Sequence, residues 1–384
     1  MLKLSFRAFS DFRFCYVHVL TCIQVAYIHR IATGDQALTL FFMKRPAPLI
    51  SHSFQLKLDR VSSSQSEHDT DAVKRMSYYY VFLFLLYIVS VLGNTLVMLI
   101  ICLDHNLRTP KYIAVFNLAF TDLLGSSALV PKVLDIFLFD HPYISYNDCL
   151  TFMFFCFTCL SMQALNLVAL AYDRMIAIIF PLHYHVKVTR RFMFSLIGSF
   201  WLFVITVILI AAGILTRLSF CKSVVIDSYF CDYGQIYRLA CNDKTPGLVI
   251  SFLLPFLILW LPLVFIVFTY LYIGYALTKV ATVHERVKAF KTCTAHMLLV
   301  AIYFFPVIIT FASLGNLHPN ARIISLSLTF VFPPTLNPII YVLQTQEIRK
   351  SVKKLFQIRV QSKIAIKIFT EVKTILMKTQ YNSN

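Results

Sequence analysis

Charge is what this chain has least of. Only 14% of its 384 residues are Asp, Glu, Lys or Arg, against a hydrophobic share of 58%, and Gly is scarce, at 9 residues. A soluble chain of that length would form one to three domains and would need far more charged surface. Several chemical signatures are missing too. There is no Walker loop, no dinucleotide Gly fingerprint and no metalloprotease His-Glu-X-X-His. Nor does any segment show a Ser nucleophile elbow. These absences speak against catalysis, so the chain is expected not to be an enzyme and to carry no cofactor. The charge that is present is lopsided, at +17 net. In a soluble protein that excess would suggest nucleic acid. In a chain this apolar it fits the Lys and Arg that gather on the cytoplasmic side of membrane proteins, and no nucleic-acid partner is expected.

What fills the sequence instead is apolar, with 36 Phe, some of them clustered at Phe152, Phe154, Phe155 and Phe157. About 20 apolar residues cover the hydrocarbon core of a bilayer as a helix. Seven stretches qualify, at 78–102, 112–138, 149–180, 192–216, 247–275, 292–313 and 322–344. The expected fold class is therefore all-α, an integral membrane bundle of seven transmembrane helices. Transporters often show paired repeats and broken midplane helices, and pores often show rings of polar groups. Neither is visible here, which leaves a transporter or channel as the rival from another class. The linkers after the first, third and fifth stretches hold Arg108, Lys111, Lys187, Arg190, Arg191, Lys279, Arg286, Lys288 and Lys291, and the tail adds basic residues from Arg349 to Lys378. The other side holds fewer, so the positive-inside rule places the C-terminus in the cytoplasm and the N-terminus outside.

The division expected is an atypical extracellular extension over 1–77, mostly disordered, a seven-transmembrane-helix domain over 78–345, and a cytoplasmic helix with a basic tail over 346–384. Residues 14–28 form an apolar run after Lys3, Arg7 and Arg13 that resembles a signal peptide, although Asp11 and His18 interrupt the pattern. The run is too short for an eighth span, and residues 1–50 are expected to include an unusual leader with no function of its own. Residues 59–75 are polar and Ser-rich, as a flexible outer segment would be.

Among ten Cys, Cys149, Cys221, Cys231 and Cys241 fall on the outer side, where four thiols allow three pairings and spacing does not choose among them. Cys102, Cys156, Cys159 and Cys293 read as packed thiols. Ionisable and amide groups inside the spans are costly and each raises a functional question. Asp122, Asp173 with Arg174, Asn94 and Asn337 are such groups. As plain helix–helix glue they would contribute about 0.6–2 kcal/mol each. As a set they suggest a switch network.

Several motifs identify a family. Leu170-Ala171-Tyr172-Asp173-Arg174-Met175-Ile176-Ala177-Ile178 resembles the odorant-receptor version of the Asp-Arg-Tyr motif of rhodopsin-like (class A) G-protein-coupled receptors. Pro181-Leu182-His183-Tyr184 follows it, another mark of that branch. Leu107-Arg108-Thr109-Pro110-Lys111-Tyr112 resembles the start of the family's second helix, and Lys288 through His296 the start of its sixth. Pro334-Thr335-Leu336-Asn337-Pro338-Ile339-Ile340-Tyr341 is similar to the Asn-Pro-X-X-Tyr element of the seventh. Gly93-Asn94, and Pro262 with Tyr270, complete the pattern over about residues 78–357. Departures are Met175 for Tyr, Arg108 and Lys111 for the usual His and Met, Tyr303-Phe304 in reversed order, and the lack of any Asn-X-Ser/Thr sequon.

The resemblance implies an odorant-type receptor in the plasma membrane that binds a small organic ligand and activates a heterotrimeric G protein. A non-olfactory class A receptor is the alternative within the same fold. It implies disulfides Cys149–Cys231 and Cys221–Cys241. Asp173 would restrain Arg174 at rest, with Tyr270 and Tyr341 reorganising beside it on activation. Asp122, Asn94, Asn337 and Pro338 would belong to the polar network, and a sodium ion is the group to test near Asp122, with Gln163 standing against it. The implied pocket is largely apolar and faces Cys156, Phe157, Leu160 and Ser161 of the third helix and Phe304, Ile308 and Phe311 of the sixth, near a bend at Pro306. Residues 346–357 resemble the short interfacial helix after the seventh span.

Overall fold

The computed structural model describes residues 55–58, 70–138, 143–220, 225–226, 231, 233–243, 245–279, 282–312 and 319–354. The leader and the apolar run at 14–28 lie outside them, as does the basic tail beyond 354. Seven long helices dominate: α1 (Thr70–Leu103), α2 (Pro110–Leu138), α3 (Tyr146–Ile179), α4 (Arg190–Leu215), α5 (Thr245–Thr278), α6 (Val283–Ala312) and α7 (Pro319–Gln344). Six are long and apolar enough to cross a membrane, and α7 carries the apolar stretch Ser327–Leu343. A further helix, α8, occupies 346–354. The chain is thus an all-α integral membrane protein, and its helices fall on the seven apolar stretches of the sequence.

Local chemistry sets several of the boundaries. Pro110 opens α2, where its missing N–H costs nothing. Ser145 caps α3 by accepting from the Asp148 N–H at 3.1 Å, and Thr189 caps α4 by accepting from Phe192 N–H at 3.1 Å. At the far end of α3, Phe180 leaves the helix just before Pro181, which disfavours helical backbone in the residue ahead of it.

α3 is the central element. Twenty of its residues are buried, and it packs on α2, α4, α5 and α6. The outer helices turn bulky apolar side chains away from the core: Leu92 of α1, Leu202 of α4 and Phe268 of α5 are 66%, 71% and 67% exposed. Such a surface is stable against lipid tails and would aggregate in water.

The approach of α1 to α7 is dictated by two imino acids and a glycine. Pro338 has no N–H, so the Pro334 carbonyl one turn back has no donor of its own helix. Asn94 of α1 supplies one, its Nδ2 lying 2.8 Å from that oxygen. Gly93 makes the reach feasible, since a Cβ there would stand 3.0 Å from the Pro338 ring.

Part of the extension, β1 (Gln55–Leu58), is ordered as the central strand of a small sheet. It pairs antiparallel with β2 (Tyr143–Ser145) and parallel with β3 (Val225–Ile226), in the order β2-β1-β3. The strand alternates Leu56 and Leu58 with Gln55 and Lys57, a period-two pattern; β2 pairs with Gln55 to Lys57 on one side and β3 with Lys57 and Leu58 on the other. The sheet lies at the Cys149 end of the bundle, because β2 runs directly into α3.

Candidate functional site

A column of buried polar side chains runs through the bundle, beginning at Asp122 of α2. One carboxylate oxygen accepts from Gln163 Nε2 of α3 at 2.8 Å and the other from Asn337 Nδ2 of α7 at 2.7 Å. Three helices are thereby tied to one acid. A carboxylate is acceptor-only and these amides present donors, so the pairing is chemically matched. Both Asp122 oxygens, which a sodium ion near Asp122 would need, accept these N–H groups in the structure. Beside the column, Asn117 Nδ2 donates to Asn166 Oδ1 at 2.8 Å, while Trp201 Nε1 donates to Asn117 Oδ1 at 3.1 Å, linking α2, α3 and α4.

At the opposite end from Cys149, Asp173 and Arg174 form an ion pair of 3.2 Å, with the Asp173 side chain 1% exposed. The second oxygen of Asp173 accepts from Tyr184 Oη at 2.7 Å. Both oxygens of a buried carboxylate are therefore used, which is the condition for burying it at tolerable cost. Burial first, and then the Asp173 charge, pushes the Tyr184 phenol above its ordinary value. Nearby, Tyr270 of α5 and His296 of α6 share a hydrogen bond at 2.7 Å with their rings stacked. The Tyr341 hydroxyl of α7 is buried and has no hydrogen-bond partner among the described residues. The turn after α1 is joined to α8, where Ser351 Oγ donates to Asp104 at 2.5 Å. That hydroxyl, then the Asn106 N–H, holds the Asp104 carboxyl below its usual value.

Toward the Cys149 end, a cleft of about 220 Å³ including its open mouth lies between α3, α5 and α6. Its enclosed part has room for little more than one water. Leu160 and Ser161 of α3, Ile258 and Leu259 of α5, and Tyr303 and Val307 of α6 line it. Tyr303 Oη donates to the Leu160 carbonyl at 2.7 Å, bridging α6 to α3. Of the residues expected to face a pocket, Leu160 and Ser161 do so. Cys156 and Phe304 are buried in the packed interior, Phe157 and Ile308 are half-buried against it, and the Phe311 side chain lies outside the described residues. On α6 the lining positions are 303 and 307 where 304 and 308 were expected. On α5 the lining residues belong to a π-helical stretch, Phe256–Trp260, that widens the helix by a fraction of a turn.

At the same end Cys149 and Cys231 are joined, with Cα atoms 5.5 Å apart. Cys241 is disulfide-bonded, and Cys221, its implied partner, lies outside the described residues. Cys156, Cys159 and Cys293 are free thiols. Gln163 was expected beside Asp122, whereas the Asp173 pairing to Tyr184 and the Tyr303 bridge went unassigned by sequence reasoning. Tyr184 was within reach, because it closes the Pro181–Tyr184 motif immediately after Arg174.

Seven spans around a central polar column, with an acid–arginine pair at one end and a bridged, sheet-covered mouth at the other, define a seven-helix membrane receptor. Comparison with known proteins gives the family. The profile of a family described as "Olfactory receptor" matches residues 83–359. The chain is similar to "Olfactory receptor 1E16" of Mus musculus, at 33% identity over 72% of this chain and 89% of that protein. It is likewise similar to "Olfactory receptor 1" of Rattus norvegicus, at 34% over 72% and 89%. For "Olfactory receptor 2AT4" of Homo sapiens the identity is 30%, over 71% and 86%. The chain belongs to the olfactory receptor family. It is a multi-pass plasma-membrane receptor and not an enzyme.

Proposed function

We propose that this receptor takes its small organic odorant in the cleft between α3, α5 and α6 and passes the signal along the buried column to the Arg174 end. There a heterotrimeric G protein docks. The observation that carries the reading is the continuity of α3: Leu160 and Ser161 face the cleft, Gln163 holds Asp122, and Asp173 with Arg174 closes the far end. A rigid helix with a ligand at one end and a charge pair at the other can couple two discrete arrangements of its neighbours.

Asp173 and Tyr184 hold Arg174 in the resting arrangement. Ligand binding favours the arrangement in which Arg174 is released, by its differential affinity for that state. Tyr270, His296 and Tyr341 then repack beside it. The Cys149 end, with its disulfides and sheet, faces outside, and α8 with its basic residues lies on the cytoplasmic surface of the bilayer.

The test is second-messenger output in cells across an odorant panel. At least one panel member raises the signal, and Arg174→Ala removes that response while surface expression is kept. A panel with no activator, together with a basal signal untouched by Arg174→Ala, overturns the reading.

A further inference from the structure

In the cleft between α3, α5 and α6, the protons of the polar side chains are already committed. Ser161 Oγ donates to the Phe157 carbonyl one turn back, at 2.6 Å. Tyr303 Oη donates across the bundle to the Leu160 carbonyl at 2.7 Å. A hydroxyl has one proton and two acceptor positions, so what both atoms have left is acceptor capacity. The remaining lining side chains, Leu160, Ile258, Leu259 and Val307, bear no polar atom. Nor does α5 add a donor there. Pro262 has no N–H, so the turn ahead of it, which carries Ile258 and Leu259, is one backbone donor short. Residue 304 is Phe, which leaves Tyr303 as the phenol of this turn.

We propose that the cleft selects small, mostly apolar molecules that donate a hydrogen bond, such as alcohols and phenols, over molecules of the same size that only accept one, such as ethers and aldehydes. The inference rests on the cleft being the odorant site. A ligand O–H extends the existing bridge into a chain, from ligand to Tyr303 Oη to the Leu160 carbonyl, and each bond polarises the next. An acceptor-only ligand has two choices. It stays unpaired against buried oxygens, or it takes the Tyr303 proton and unties α6 from α3. Either way it forfeits about one net hydrogen bond, a handicap of roughly tenfold in affinity. Ser161 is the softer of the two acceptors, because its hydroxyl can turn away from a carbonyl already bonded within the helix.

The experiment uses the full-length receptor in lipid nanodiscs and reads binding, so that signalling competence does not enter. The probes are straight-chain C6–C10 alcohols, their methyl ethers and the aldehydes of the same chain length. The alcohols bind roughly tenfold tighter than the matched ether or aldehyde. Tyr303→Phe with Ser161→Ala brings the three classes to within about twofold of one another, and Ser161→Ala alone narrows the gap less. The wild-type comparison is decisive even where the double variant folds poorly. Equal or tighter binding of ethers or aldehydes overturns the proposal, as does absence of alcohol binding, or a preference unchanged in a folded double variant. Leu160→Trp, which fills the cleft, separates the two levels of the argument. Loss of binding for every class, with no class preference in the wild type, removes only the polarity rule. Binding untouched by Leu160→Trp removes the cleft itself as the odorant site.

Discussion

Tyr184 and Arg174 compete for nothing, since each takes one oxygen of Asp173, and the resting pair is therefore held by three groups. Removing the Tyr184 hydroxyl deletes a hydrogen bond to a charged group, worth about 1.5–3 kcal/mol. If the triad belongs to the resting state, Tyr184→Phe shifts the equilibrium about tenfold or more and raises basal second-messenger output accordingly, at matched surface expression. Unchanged or lower basal output would show that Asp173 does not restrain Arg174 through this contact. At this scale the sequence was read unevenly. Asp122, Asp173, Arg174 and Asn337 stand out because ionisable and amide groups are conspicuous in apolar runs; Asp122, Asp173 and Asn337 are buried in paired positions and Arg174 is half-buried at the charge pair. Tyr303 was visible only as half of a reversed dipeptide. Its bond to a backbone carbonyl on another helix leaves no trace in spacing.

The seven helices were legible as elements, since hydrocarbon thickness sets their length and caps or prolines set their ends. What escaped was rotation about the helix axes. The π-helical stretch of α5 and the face of α6 that turns inward depend on packing between helices distant in sequence, and a shift of one residue moves a side chain about 100°. The contact between α1 and α7 offers a test of how closely such packing is specified. Gly93→Val places carbon where the Pro338 ring already sits 3.0 Å from a single added Cβ. Overpacking of this kind costs about 1–3 kcal/mol, and it also pulls Asn94 away from the Pro334 carbonyl. The expected result is a marked loss of surface-delivered receptor and a lower melting temperature, while Gly198→Val on α4, where nothing lies within 4 Å, has little effect on either. Equal effects at the two sites would mean that the α1–α7 contact is loose.

For the molecule as a whole, loop charge supports one orientation. An epitope inserted between residues 227 and 230 should be stained on intact cells, and one appended after Asn384 only on permeabilised cells. The reverse pattern would invert the assignment of odorant and G-protein ends. The order in the extension was not legible. Four alternating residues are too few to announce a strand, and β1 exists only because β2 and β3, from two remote linkers, flank it. The small size of the enclosed cleft bears on how the receptor samples its surroundings. An odorant larger than a water must move α5 away from α3 and α6, which the Tyr303 bond keeps tied together, so the competent state is a minor one and apparent affinity falls in proportion to its population. Weak retention follows, and with it rapid escape once the stimulus fades. A detector built this way reports the present concentration of its chemical and keeps little memory of the last exposure.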